Sequence, residues 1–130
     1  MSRTASCSCG ALQAVCAGDP VRVSVCHCLA CQQRTGSAFG VQARYDADKV
    51  RLVGPRSTFE RTGDGGTTGT YAFCPGCGTT ISWTNGDAPG LIAIAVGAFA
   101  DPAFPAPVRA VYEERQHPWV TLAGIEQHEW

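Results

Sequence analysis

Charge is scarce in this chain. Only 16% of its 130 residues are Asp, Glu, Lys or Arg, and ten basic residues against eleven acidic leave a net charge of −1. Lysine is nearly missing, since nine of the ten basic residues are arginine. No global positive field exists to hold phosphates, which disfavours general DNA or RNA binding. No apolar run reaches the ~18 residues that a spanning helix requires, so no membrane segment is expected. The opening Met-Ser-Arg-Thr-Ala-Ser-Cys has no apolar core, so no secretory signal is expected. Repeats, long linkers and low-complexity segments are missing, and the length suits one domain over residues 1–130. No Ser/His/Asp grouping is visible that would serve nucleophilic catalysis.

Cysteine, glycine and proline are plentiful: eight, fifteen and eight. Eight cysteines mean either disulfides or metal. Without a secretory signal the expected compartment is the cytoplasm, where thiols stay reduced, and metal is the favoured reading. Short runs rich in Val, Ile, Thr and aromatics recur between turn signals. They predict strands at Leu12–Cys16, Val21–Val25, Ala38–Tyr45, Val50–Val53, Thr70–Phe73, Thr80–Trp83, Leu91–Val96 and Val108–Tyr112. Val21-Arg22-Val23-Ser24-Val25 alternates as a half-buried strand should. Cys28–Gly36 can form a turn or two of helix. Thr62–Gly69, with four glycines, reads as a loop between strands. Asp101–Pro107, with three prolines, reads as an extended connection. The fold class is mainly β.

Seven of the cysteines cluster. Cys7-Ser8-Cys9-Gly10 and Cys74-Pro75-Gly76-Cys77-Gly78 are two knuckles ending in Cys-Gly, while Cys26-His27-Cys28-Leu29-Ala30-Cys31 is a tighter triplet. A short turn points two sulfurs at one ion, and the glycine lets backbone N–H groups approach the thiolates. Cys7, Cys9, Cys74 and Cys77 would close a tetrahedral site of four thiolates, which is structural because no position stays open. Cys26, Cys28 and Cys31 would then hold a second ion with an open fourth position, the arrangement of catalytic zinc. Spacing leaves a rival open: Cys26/Cys28 or Cys28/Cys31 joined with Cys74/Cys77 in a single ribbon. Redox chemistry at Cys74-x-x-Cys77 is a further alternative that metal would silence. Cys16, alone in an apolar run, reads as core. His27 is expected to turn from the metal toward a supporting contact or solvent, with His117 and His128 on the surface.

These motifs are familiar as a set. Ser6–Leu12, Cys26–Ser37, Phe73–Ile81, Val96–Pro102 and Pro118-Trp119 occur in the order and spacing that resemble the glutathione-dependent formaldehyde-activating enzyme (centromere protein V-like) family. The resemblance runs from Ser6 to about Trp119. It implies a β-tent fold of several small antiparallel sheets. It also implies a structural zinc on Cys7, Cys9, Cys74 and Cys77, and a second zinc on Cys26, Cys28 and Cys31 with an exchangeable ligand. The implied activity joins glutathione to formaldehyde, or splits the adduct as a carbon–sulfur lyase. Two departures bear on the substrate: Val108–Tyr112 lacks the histidine common there in relatives, and Tyr71-Ala72 replaces a basic or small polar pair.

Three thiolates on one divalent ion donate strongly and blunt its Lewis acidity. Holding the incoming thiol as thiolate is therefore favoured over activating the aldehyde. Glutathione carries two carboxylates, which arginine forks bind well. Arg34 follows the triplet by three residues and is the first candidate, with Thr35, Gly36, Ser37 and Phe39 expected in the same pocket. The plainer alternative has Arg34 pairing with a surface acid or capping the helix. Arg44, Arg61 and Arg109 rank lower. The partners expected are a small thiol and a small aldehyde. The competing functional class is a non-catalytic zinc module that binds a protein or nucleic acid.

Overall fold

The computed structural model describes residues 1–63 and 65–130. Asp64, inside the expected Thr62–Gly69 loop, lies outside the described residues. The strands are β1 (Ser2–Ser6), β2 (Gln13–Ala17), β3 (Arg22–Cys26), β4 (Gly40–Asp46), β5 (Val50–Val53), β6 (Ser57–Thr62), β7 (Thr68–Phe73), β8 (Thr80–Asn85), β9 (Leu91–Ala95), β10 (Arg109–Val111) and β11 (Gln127–His128). One α-helix, α1 (Leu29–Thr35), follows the cysteine triplet. The chain is mainly β, as its sequence predicts. No helix is long and apolar enough to cross a membrane among the described residues.

The strands form two sheets. The small one runs β1-β2-β5, and the large one runs β11-β10-β3-β4-β9-β8-β7-β6. Most pairings are antiparallel, but β10 lies parallel to both β3 and β11. The core joins the two sheets: Ala5, Ala14 and Cys16 from the small sheet meet Val23, Tyr45, Ile81 and Ile94 from the large one. Cys7 and Cys74 belong to the same buried cluster. The four-cysteine group is thus continuous with the core.

Three departures from the sequence reading have physical causes. First, β3 is not half-buried. Ser24 is as buried as its valine neighbours, so both faces of β3 are covered. The Gln42 amide donates to its hydroxyl at 3.3 Å. Second, the strand predicted to reach Val96 ends at Ala95, and Val96–Phe99 turns as a 3-10 helix. That turn seats Phe99 against Phe104, ring centroids 4.4 Å apart. Third, β1, β6 and β11 were not anticipated.

Candidate functional site

The two Cys-Gly knuckles are built alike. The Cys7 N–H donates to the Leu12 carbonyl at 2.9 Å and the Gly10 N–H to the Cys7 carbonyl at 3.0 Å. The Cys74 N–H donates to the Thr79 carbonyl at 3.0 Å and the Gly78 N–H to the Cys74 carbonyl at 2.8 Å. Gly10 and Gly78 have φ of 84° and 80°, the left-handed region that glycine enters freely. One knuckle closes the β1–β2 turn and the other the β7–β8 turn. The register of β7 and β8 shifts between Ala72 and Phe73, immediately before Cys74. Ser8 joins them, its N–H donating to the Thr79 hydroxyl at 3.2 Å.

The result brings Cys7, Cys9, Cys74 and Cys77 into one group, every sulfur within 4.8 Å of the others. Cys9 Sγ lies 3.7 Å from both Cys7 Sγ and Cys74 Sγ. Four sulfurs about 2.3 Å from a central ion stand about 3.8 Å apart at the corners of a tetrahedron. The group therefore fits a tetrahedral metal ion. Backbone and hydroxyl donors favour the thiolates of Cys7 and Cys77, while at Cys9 the Ala11 N–H is outweighed by the three neighbouring sulfurs, which push that thiol up to about 11. The Leu12 N–H lies 3.2 Å from Cys7 Sγ and lowers that thiol's pKa. The hydroxyl and then the N–H of Thr79 pull Cys77 down to about 5.

The triplet forms a second, separate group. Cys26 ends β3, Cys28 is the N-cap of α1, and Cys31 lies in its first turn. Their sulfurs lie within 4.8 Å of one another. The Cys31 N–H donates to Cys28 Sγ at 3.3 Å. Cys26 and Cys31 together push the Cys28 thiol down to about 2, while Cys28, then Cys31 and burial, drive Cys26 upward. Three sulfurs this close together suit a shared cation. The single-ribbon pairing is not what the fold makes, since Cys74 and Cys77 belong to the other group. All eight cysteines are free thiols.

His27 is not at solvent. It is fully buried, its ring 5.8 Å from that of Phe39. Neither ring nitrogen has a hydrogen-bond partner, and burial lowers its pKa. It lies outside the three-sulfur group. Cys16 is core, as expected, with no exposure. His117 is half-buried and shares a 2.8 Å hydrogen bond with the Gln32 amide oxygen. His128 is exposed and faces Glu113 at 2.8 Å.

Cys26, Cys28 and Cys31 line a cavity of about 400 Å³ together with Arg44, Arg61, Tyr71, Trp83, Tyr112 and Arg115. Arg34 and the four residues grouped with it by sequence are not in the lining of that cavity. The Arg34 guanidinium lies 4.1 Å from the centre of the Trp83 ring, on the margin of an adjoining apolar pocket. It neither caps the helix with its side chain nor pairs with an acid among the described residues. Arg34, Thr35 and Phe39 do share a lining, that of a wider hollow that also reaches Cys7 and Cys77. Gly36 ends α1 with φ 66°, its N–H donating to the Gln32 carbonyl at 2.9 Å. The Ser37 N–H donates to the Thr35 hydroxyl. Of the lower-ranked arginines, Arg44 and Arg61 line the three-sulfur cavity, while Arg109 pairs with Glu129. Tyr112, Trp83 and Arg115 were missed. A usable signal existed for Gln42 and Arg44, which break the apolar run Val41, Ala43, Tyr45 at alternate positions of one strand.

The family model described as glutathione-dependent formaldehyde-activating enzyme matches residues 2–115. A crystal structure of a Rhodobacter sphaeroides protein, a structural genomics target, is similar in fold. Its TM-score is 0.57 at 17% identity, covering 73% of this chain and 85% of that one. No curated protein matches the sequence.

Proposed function

The chain belongs to the glutathione-dependent formaldehyde-activating enzyme family, and on that premise we propose that it is a zinc-dependent carbon–sulfur lyase or synthase. Its substrates are adducts of glutathione, or a related thiol, with formaldehyde or another small aldehyde. It works in the cytoplasm, where its thiols stay reduced. Two zinc ions are held per chain, one structural on Cys7, Cys9, Cys74 and Cys77, one on Cys26, Cys28 and Cys31. The observation that carries this reading is the separation of the three sulfurs from the four, at the wall of an open cavity. A closed site of four thiolates has no position for a substrate; a site of three has one.

Zinc bound there supplies a soft centre that lowers the pKa of an incoming thiol. The chain's own residues do the rest. Arg44, Arg61 and Arg115 bring three guanidiniums to the cavity, matching the carboxylates of glutathione. Tyr71 and Trp83, stacked with ring centres 5.7 Å apart, form an apolar wall that limits water around the reacting carbon. The Cys31 N–H steadies the Cys28 sulfur. Thr35, Gly36 and Ser37 close the end of α1, and Arg34 and Phe39 line the pockets beside it.

The deciding experiment pairs elemental analysis with kinetics on zinc-loaded protein. Two zinc per chain and thiol-dependent gain and loss of aldehyde are expected. One zinc per chain, or no acceleration in either direction across several thiols and aldehydes, overturns the reading. A salt-dependent shift with nucleic acid in that case would favour the binding module.

A further inference from the structure

Beside the three-sulfur cavity lies a second pocket with no role so far. It has a volume of about 260 Å³, and its lining includes Ala30, Phe59, Tyr71 and Phe73 together with Arg34 and Arg61. It shares Ala30, Arg61 and Tyr71 with the cavity over Cys26, Cys28 and Cys31. The two pockets therefore adjoin along these three residues. Phe59, on edge strand β6, is 61% exposed and sits across from Tyr71. The two cross-strand rings share one face.

Formaldehyde leaves this pocket unused. It is about the size of one water, roughly 30 Å³, and carries only hydrogen on its carbon. The peptide arms of glutathione are polar and carry two carboxylates, and the arginines of the larger cavity suit them better than aromatic walls do. Arg34 adds a positive charge with no acid partner among the described residues. An apolar slot with a few convergent polar groups is the usual form of a small-molecule subsite.

We infer that the aldehyde handled here is larger than formaldehyde, its carbonyl carbon bearing an aromatic group that ends in a carboxylate. The ring would lie among Phe59, Tyr71 and Phe73, and the carboxylate would face Arg34. This rests on the thiol-adduct reading above. The chemistry balances without a further reactant. The carbon–sulfur bond of the hemithioacetal breaks with its electron pair on sulfur. The hydroxyl proton leaves as the carbonyl forms, and thiol plus aldehyde account for every atom.

Stable thioethers test the subsite without turnover. Zinc-loaded protein is titrated calorimetrically with S-methylglutathione, S-benzylglutathione and S-(para-carboxybenzyl)glutathione. The carboxybenzyl compound is expected to bind about tenfold or more tightly than the methyl compound, the worth of burying much of one ring. Phe59→Ala should remove most of that preference. Arg34→Gln should remove the margin of carboxybenzyl over benzyl. Equal affinities for all three thioethers overturn the inference and leave the thiol-adduct reading standing. If only para-(mercaptomethyl)benzoate binds, and Phe59→Ala weakens it, the subsite is upheld and glutathione is the wrong thiol. If none of the four compounds binds, both fail.

Discussion

Cys16 shows how differently two cysteines of one chain can be used. Its sulfur is wholly buried between the sheets, and burial pushes the thiol up to about 11 from an ordinary 9.0. It has no metal partners, and its one polar contact is a long 3.8 Å approach to the Ala14 carbonyl. Cys16→Ala should therefore cost about 1 kcal/mol of packing and leave the metal content unchanged. The raised pKa adds a pH signature. The unfolded chain gives up this proton from about 9, while the folded chain keeps it to about 11. The stabilisation is complete below the lower value and is lost as pH rises through the window. Urea midpoints at about pH 8 and about pH 10 should thus fall less in Cys16→Ala than in the parent. An equal fall would assign the pH dependence to other groups. Cys16 was legible because an apolar run with a lone thiol has few other readings. His27 was not, since the direction of the middle residue in Cys-x-Cys depends on what packs there. Phe39 comes from beyond the helix, and the Val111 carbonyl, which accepts the His27 N–H at 3.1 Å, comes from distant β10.

Among the elements, the strands that set a row of apolar side chains against the core announce themselves, edge strand β5 with Val50 and Leu52 included, and β1, β6 and β11 do not. Val50–Val53 has the bounds read from sequence, and β2, β3, β4, β7, β8, β9 and β10 lie within a few residues of theirs. Each places side chains against other strands, which leaves a pattern of apolar residues. β1 buries only Ala5 fully, and β6 has no fully buried residue. These strands exist through backbone pairing, which any sequence can supply, so composition carries no trace of them. The site divides the same way. The seven cysteines that could hold metal lie at short spacings and were legible. Tyr71 and Trp83 meet through sheet register, and Tyr112 and Arg115 come from a distant segment after β10. One glycine makes an element-scale prediction. Gly54, after β5, has φ +106°, and a Cβ there would sit 1.9 Å from the Ala11 carbonyl oxygen. Backbone cannot yield as a side chain can. Gly54→Ala should cost at least about 2 kcal/mol. Gly36→Ala, at φ +66° with open space around it, should cost about 1 kcal/mol. Denaturant midpoints of the two variants compare them directly; a Gly36 cost equal to that of Gly54 would mean the Ala11 contact relaxes.

At the scale of the molecule, the two cysteine groups have different places in the fold. The four-sulfur group links the β1–β2 turn of the small sheet to the β7–β8 turn of the large one, positions about seventy residues apart in a chain of 130. Apart from the sulfurs, Ser8 and Thr79 supply the polar link between these turns. The three-sulfur group ties only the end of β3 to the helix that follows it. Removing a ligand from the first should open the contact between sheets and, with it, the core that includes Cys7 and Cys74. Structural zinc binding is worth about 10 kcal/mol or more in small domains, comparable to the whole stability of a domain this size. Cys77→Ser should therefore leave little folded protein, seen as loss of the cooperative thermal transition. Cys28→Ser should keep that transition within a few degrees while metal content falls by one ion and thiol-adduct turnover stops. Chelation should follow the same order. A weak chelator should strip the three-sulfur group, which has one ligand fewer, with the circular dichroism spectrum intact. A strong chelator should then remove the second ion and unfold the chain. If both variants unfold alike, or both ions leave in one step with the fold, the three-sulfur group is as structural as the four, and the division of labour between them is wrong.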